Sequence, residues 1–403
     1  MILIKMNLGC NFRCEYCYQR MLREKKIDRK EWDLEAVKNT IKNISNSSKE
    51  QIVLHGGEPL TLPIEQIEEL LKLSYDLTGR SGIQTNGYLI NDDVIELFKK
   101  YKTSVGLSID GPFPCNELRG IGDMKERKKQ TATIINNLMR LNEENVPVSV
   151  ITVVHKKNAI GERRELLKYF ILDLHNKKIG GRLNICHSGN PEIDLTTDEA
   201  KDFYLDMLDF MIDNEIIGWS PFRDIINSLT GKQDVVCLFR SCNPLCTPSC
   251  KTVLYDGSVG VCIRLYNKGE VYLRSESSRN IRDEILQQTD CKDCKWWNHC
   301  YGGCPGMAID GDWRNKDRNC EVYKALFERL SKITRFIGIR SPCVKSKSLK
   351  KEFGESHLDG VEHIDGGYRH LDSNYLPKGS SNHSDGIEHL DGNLKHLDSD
   401  LRW

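Results

Sequence analysis

The chain has 403 residues, 39% hydrophobic and 29% charged, with Lys+Arg and Asp+Glu balanced at 58 each. That length calls for two or three structured units, and formal neutrality gives no electrostatic case for nucleic acid or an anionic membrane. Neither a signal-peptide core nor an apolar run of about 18 residues is present, which predicts a cytoplasmic, unanchored protein. Sixteen cysteines in such a chain point to metal, because disulfides are uncommon in the cytosol.

From residue 1 to about 190, short β-branched or apolar runs alternate with amphipathic stretches, the signature of βα units and a parallel sheet. Strands are predicted at Ile2 to Met6, Gln51 to Leu54, Gly82 to Thr85, Ser104 to Ile109, Val148 to Val154 and Arg182 to Cys186. Helices are predicted at Leu34 to Ile44, Ile64 to Leu77, Asp92 to Tyr101, Thr131 to Asn142 and Glu162 to Leu174. Six such units give an α/β fold, a partial (β/α)6 TIM-like barrel lacking the eight repeats of a closed one, with its site at the C-terminal strand ends.

Just past the first strand lies Cys10-Asn-Phe-Arg-Cys14-Glu-Tyr-Cys17. Three thiolates leave one iron of a four-iron cluster open to an exogenous ligand. The bland reading is a zinc knuckle, a tetrahedron closed by Cys or His. The next strand ends carry His55-Gly56-Gly57-Glu58-Pro59, then Thr85-Asn86-Gly87, then Ser108-Ile109-Asp110-Gly111. Singly, each is ordinary turn chemistry. Together they describe one polar pocket with glycines for close backbone approach.

With these residues in view, the chain resembles the radical S-adenosylmethionine superfamily. Cys10, Cys14 and Cys17 match its cysteine spacing, with the aromatic Tyr16 before the last thiol. The resemblance implies a 4Fe-4S cluster whose open iron is chelated by S-adenosylmethionine. Gly56, Gly57 and Glu58 match the methionine-binding segment, and Ser108 and Asp110 match polar fourth-strand positions. With Tyr16, Pro59 and Asn86, these are the implied cofactor contacts. Reductive cleavage of the sulfonium would yield methionine and a 5′-deoxyadenosyl radical, shielded by the barrel.

Asp194 to Asn214 reads as a bridging helix within 191–236. Beyond it come Cys237, Cys242, Cys246 and Cys250, an Asp256-Gly257 hairpin signal leading to Cys262, then Cys291-x2-Cys294-x5-Cys300-x3-Cys304 and Cys320. Zinc ribbons and further iron–sulfur clusters both suit such thiols. The order is similar to the SPASM extension of peptide-modifying radical enzymes, here 237–340. That resemblance implies one auxiliary cluster on Cys291, Cys294, Cys300 and Cys320 and another on Cys246, Cys262 and Cys304 with Cys242 as fourth ligand, making three 4Fe-4S clusters in all. Cys250 competes with Cys242 and Cys246. In related sulfatase-maturing enzymes an acidic residue follows the cysteine equivalent to Cys262 and acts as base. Ile263 stands there in this chain, so that activity is the less favoured alternative and no general base is assigned. Cys115, Cys186 and Cys343 read as buried or idle thiols.

After a terminal helix at Ala325 to Ile339, the chain changes character at Ser341-Pro342. The tail, 341–403, repeats His-x-Asp: His357 with Asp359, His363 with Asp365, His370 with Asp372, and again His383 with Asp385, His389 with Asp391, His396 with Asp398, the second trio offset by 26 from the first. Two copies with isolated apolar residues bury no core, which predicts a flexible tail. The repeat reads as a duplicated tail without chemistry, as metal capture or as substrate. Several radical enzymes with this extension act on aromatic-x-polar tripeptides, making three-residue cyclophanes, and His-x-Asp fits that spacing. On this reading a hydrogen leaves the Asp β-carbon, the carbon radical attacks imidazole and an auxiliary cluster accepts the second electron.

Many peptide-modifying relatives carry a leader-binding segment ahead of the barrel. This chain begins at the first strand, and a flexible tether supplies substrate at roughly millimolar effective concentration. The sequence therefore predicts a radical S-adenosylmethionine oxidoreductase that modifies a repeat peptide, either its own tail or a separate precursor. An external one-electron reductant such as flavodoxin or ferredoxin is the implied partner. The alternatives are maturation of a separate protein and, from another class, a zinc-stabilised scaffold.

Overall fold

The computed structural model describes residues 1–6, 9–19, 32–45, 50–216, 218–232, 250–260, 262 and 276–336. Six parallel strands form its frame: β1 (Ile2–Lys5), β2 (Ile52–His55), β3 (Ser81–Thr85), β4 (Thr103–Ser108), β5 (Val148–Val154) and β6 (Gly181–Ile185). Between them run α1 (Leu34–Ile44), α2 (Ile64–Thr78), α3 (Asp92–Lys100), α4 (Met124–Glu143) and α5 (Glu162–Asn176). Alternation sets the two faces of the sheet. Ile2, Ile4, Ile52, Leu54, Ile83, Val105, Leu107, Val150 and Leu183 are buried in the principal core, whereas Val53, His55, Gln84, Gly106, Ser108, Ile151 and Asn184 on the opposite face are half-buried. This is the TIM-like α/β architecture expected, with its polar face turned inward.

The strand and helix positions differ from expectation by a residue or two, except in α4. That helix begins seven residues earlier than Thr131, at Met124, because Asp123 accepts from the Glu126 backbone N–H while Glu126 accepts in return from the Asp123 N–H. Such a capping box satisfies two donors that would otherwise be orphaned.

The sheet does not end at β1. After α6 (Thr197–Asp213) and α7 (Phe222–Leu229), strand β7 (Lys251–Val253) pairs parallel with β1 and β8 (Val259–Gly260) returns antiparallel, giving eight strands among the described residues in the order β6-β5-β4-β3-β2-β1-β7-β8. The expected bridging segment thus holds two helices, and the expected hairpin extends the barrel sheet. Helices α8 (Glu276–Gln288) and α9 (Cys320–Phe336) complete the fold, α9 packing on α6 and α7. Helix α9 starts five residues ahead of the expected Ala325; 337–339 lie outside the described residues.

Contacts gather the described residues into one unit. The repeat tail lies outside the described residues. With it go all the candidate modified residues: the imidazoles of His357, His363, His370, His383, His389 and His396, and the carboxylates of Asp359, Asp365, Asp372, Asp385, Asp391 and Asp398.

The β7–β8 turn is held against α1. Gly257 has φ +78°, its carbonyl accepts from Thr40 Oγ1 at 2.6 Å, and a Cβ placed there would stand 2.9 Å from the Ala36 backbone. Gly79, at φ +72°, has nothing within 4 Å of the same point. Both incur the left-handed backbone cost on substitution, but only Gly257 adds overpacking. Gly257→Ala should therefore destabilise by about 1–3 kcal/mol more than Gly79→Ala; equal denaturation midpoints for the two variants would contradict this packing.

Candidate functional site

The loops after β1 to β6 gather at one end of the sheet. The cysteine loop is fastened there by backbone bonds: Glu58 N–H donates to the Gly9 carbonyl (2.8 Å), Arg13 N–H to Gly120 (2.9 Å) and Glu15 N–H to Leu118 (3.0 Å). Within the loop, Cys17 N–H donates to the Cys14 carbonyl (3.2 Å) and Phe12 N–H to Cys10 Sγ (3.3 Å). Cys10, Cys14 and Cys17 are all half-buried.

Glu58 is 1% exposed, and both of its carboxylate oxygens accept hydrogen bonds. Oε1 accepts from Thr85 Oγ1 (2.7 Å) and Leu60 N–H (3.1 Å), and Oε2 from Asn86 N–H (2.7 Å). Burial raises its pKa, opposed by these bonds. Asn86 is itself buried and donates through Nδ2 to Asn11 Oδ1 at 2.8 Å. Glu58 and Asn86 thus tie the ends of β2 and β3 to the cysteine loop. Beside them Gly56 and Pro59 are buried and Gly57 is half-buried, and Ser108 accepts from Gln84 Nε2 at 2.8 Å.

The second anchor is Asp110, fully buried after β4. Its carboxylate accepts from Tyr16 Oη and from the Val153 N–H (2.9 Å), with His155 Nε2 3.4 Å away and Arg119 Nη1 4.0 Å away. Arg119 also donates to Tyr16 Oη at 2.9 Å. Burial pushes the Asp110 carboxyl up, but Arg119, His155 and Tyr16 outweigh it and hold the pKa below the ordinary value. The Tyr16 hydroxyl is driven the other way, well up, chiefly by burial. Nothing in the sequence marked Arg119 or His155, because each reaches Asp110 only through the fold. On the inner face, His55 faces Lys5 across the β1–β2 register, and burial with that neighbouring cation lowers its pKa to about 4.

A second gathering lies in the cysteine-rich segment. Cys291, Cys294, Cys300 and Cys320 line one cavity with Trp296, Phe327 and Asp317. Burial, reinforced by the neighbouring thiols, pushes Cys300 up to about 12; burial also lifts Cys320 to about 11. Two buried side chains shape the surrounding loop. Arg282 donates to the carbonyls of Trp313 (2.9 Å), Tyr301 (2.9 Å), Gly302 (3.0 Å) and Asn315 (3.1 Å). Asp317 accepts from the Cys304 N–H (3.0 Å) and the Asn319 N–H (2.8 Å). Among the described residues no three His, Cys, Asp or Glu side chains converge closely enough for a single metal ion. Four thiols ranged around one cavity are a donor set that could hold a metal group there. Cys304 is buried, Cys250 and Cys262 are half-buried, and Cys242 and Cys246 lie outside the described residues.

Residues 4–170 match the Radical SAM superfamily. The chain is 27% identical over 380 residues to the cysteine-type anaerobic sulfatase-maturating enzyme of Clostridium novyi (strain NT), covering 83% of this chain and 96% of that protein. It is 25% identical over 358 residues to the radical SAM cyclopropyl synthase TigE of Paramaledivibacter caminithermalis, covering 80% of this chain and 71% of that one. Among solved structures, native anSMEcpe with bound AdoMet and Cp18Cys peptide superposes with TM-score 0.67 at 22% identity over 83% of this chain and 99% of that chain.

The Asp110 anchor gives a direct test. Asp110→Asn leaves the Arg119 guanidinium buried beside a neutral group and should cost about 3–5 kcal/mol, part of which Arg119→Met in the same chain restores. Urea unfolding of the single and double variants measures this; a fully additive double variant would refute the coupling.

Proposed function

With a radical SAM domain over residues 4–170, we propose that the protein is a radical S-adenosylmethionine maturase acting on a His-x-Asp repeat peptide, its own tail or a separate precursor. The observation that carries the reading is the fastening of the Cys10–Cys17 loop across the C-terminal ends of β2, β3 and β4. Cys10, Cys14 and Cys17 would hold the 4Fe-4S cluster to which S-adenosylmethionine binds. When bound, this pair supplies a 5′-deoxyadenosyl radical able to remove a hydrogen atom from an unactivated carbon. Cys291, Cys294, Cys300 and Cys320 would hold one auxiliary cluster, and Cys262 and Cys304, with Cys242 and Cys246, another. The carbons to be modified would be the β-carbons of Asp359, Asp365, Asp372, Asp385, Asp391 and Asp398, each two residues after its histidine.

The chain's own residues then do three things. Glu58, Asn86 and Asp110 fix the loop's position from beneath, which sets where a ligand of the open iron would sit. Gly56 and Gly57 keep side chains away from that position, and the half-buried inner face, with Gln84, Ser108 and Asn184, offers hydrogen bonds to an extended peptide.

A second reading, maturation of a separate sulfatase, draws on the sulfatase-maturating relatives; Ile263 in place of an acidic residue after Cys262 weighs against it. Anaerobic protein reconstituted with iron, sulfide, S-adenosylmethionine and dithionite should show loss of two hydrogen atoms for each modified His-x-Asp by mass spectrometry. An unchanged tail and an unchanged synthetic His-x-Asp peptide, alongside measured S-adenosylmethionine cleavage, would refute that substrate. A cysteine-containing sulfatase peptide that gains a hydrazide-reactive aldehyde would install the second reading. Separately, replacing Cys10, Cys14 and Cys17 with alanine should abolish S-adenosylmethionine cleavage; cleavage that survives would refute the proposal as a whole.

A further inference from the structure

We infer that the exposed start of α4, beside the cysteine loop, is the docking surface for a small acidic one-electron carrier protein. This rests on the radical S-adenosylmethionine reading, which requires an electron donor but assigns it no place.

Lys125, Lys128 and Lys129 stand on one exposed face of α4, three and four residues apart. None of the ion pairs among the described residues uses their ammonium groups. Elsewhere lysines are commonly neutralised: Lys99 by Glu96 and Glu144, Lys100 by Glu68, Lys168 by Glu165 and Asp206, Lys177 by Asp173. The two carboxylates of the same turn, Asp123 and Glu126, bond backbone N–H groups in the capping box and are paired with none of the three ammonium groups, leaving the lysines in excess.

Stability does not account for this run. A helix N-terminus disfavours cations, and like charges at this spacing repel. Beside the lysines, Ile121 and Met124 are 46% and 47% exposed, so the surface combines a net excess of positive charge with accessible apolar area. Such a combination steers an anionic partner and then holds it.

Its location gives the charge a purpose. The loop leading into α4 is bonded to the cysteine loop through Arg13 N–H to Gly120 and Glu15 N–H to Leu118, at 2.9 and 3.0 Å. Arg127, on the same helix, pairs with Glu15 at 2.6 Å. A carrier seated here lies against the segment that bears Cys10, Cys14 and Cys17. In a chain of zero formal charge, a local basic patch at that position is a directional feature.

The test uses full-length reconstituted protein and flavodoxin as the probe, with binding followed by calorimetry. Reversal of all three charges, Lys125→Glu with Lys128→Glu and Lys129→Glu, should weaken flavodoxin binding tenfold or more and flatten its dependence on salt. The melting temperature should not fall, and dithionite-driven S-adenosylmethionine cleavage should stay at the wild-type value, since dithionite needs no docking surface. Lys201→Glu with Lys332→Glu, on α6 and α9, should bind flavodoxin like wild type. Unchanged flavodoxin affinity in the triple variant overturns the inference. So does a loss confined to a synthetic His-Leu-Asp peptide, which would assign the patch to substrate. Absence of dithionite-driven cleavage in the wild type would strike the functional reading alone, because the binding isotherm is read independently of it.

Discussion

A fully buried carboxylate, Asp110, holds this site together. It sits at the end of β4, accepts from the β5 backbone and from Tyr16 in the cysteine loop, and has Arg119 and His155 for company. A charge so placed is tolerable only when opposite charge and hydrogen bonds surround it. The chain therefore cannot keep Asp110 ionised without also fixing where Tyr16, and the thiols on either side of it, must lie. Glu58 repeats the device two strands over, and Asn86 carries it across to Asn11. Glu58 and Asp110, two acidic residues that match cofactor-contact positions, also make bonds that position the loop.

Much of this was legible in the residues. β1 to β6 could be read because buried parallel strands are short apolar runs separated by helices of ordinary length, and because each ended in glycine or a polar cluster. The loop of Cys10, Cys14 and Cys17 was visible as spacing, since local separation along the chain limits where a thiol can go, whereas the grouping of Cys291, Cys294, Cys300 and Cys320 came from the resemblance to the SPASM extension. The start of α4 was also written there, as Asp123 followed three residues later by Glu126, but the apolar periodicity begins only near Thr131 and drew the boundary to itself.

Other features had no local signal. That β7 would add to β1 depends on an unpaired strand edge meeting a segment some 250 residues later, a match that three residues cannot announce. Arg119 and His155 became part of the site only when the β4 and β5 ends came together around Asp110. Arg282 is similar: a single arginine in an ordinary helix, which the fold turns into the holder of four carbonyls around the cysteine cavity.

The central claim is that the loop of Cys10, Cys14 and Cys17 presents an iron with a vacant position to S-adenosylmethionine. Pulsed electron-nuclear spectroscopy of the reduced, reconstituted protein, with S-adenosylmethionine labelled at the methionine nitrogen and carboxylate, tests it most directly. The account predicts strong coupling of both labelled positions to the cluster, absent when the three cysteines are replaced by alanine. A cluster signal indifferent to the labelled cofactor, or coupling that persists in the triple variant, would contradict it.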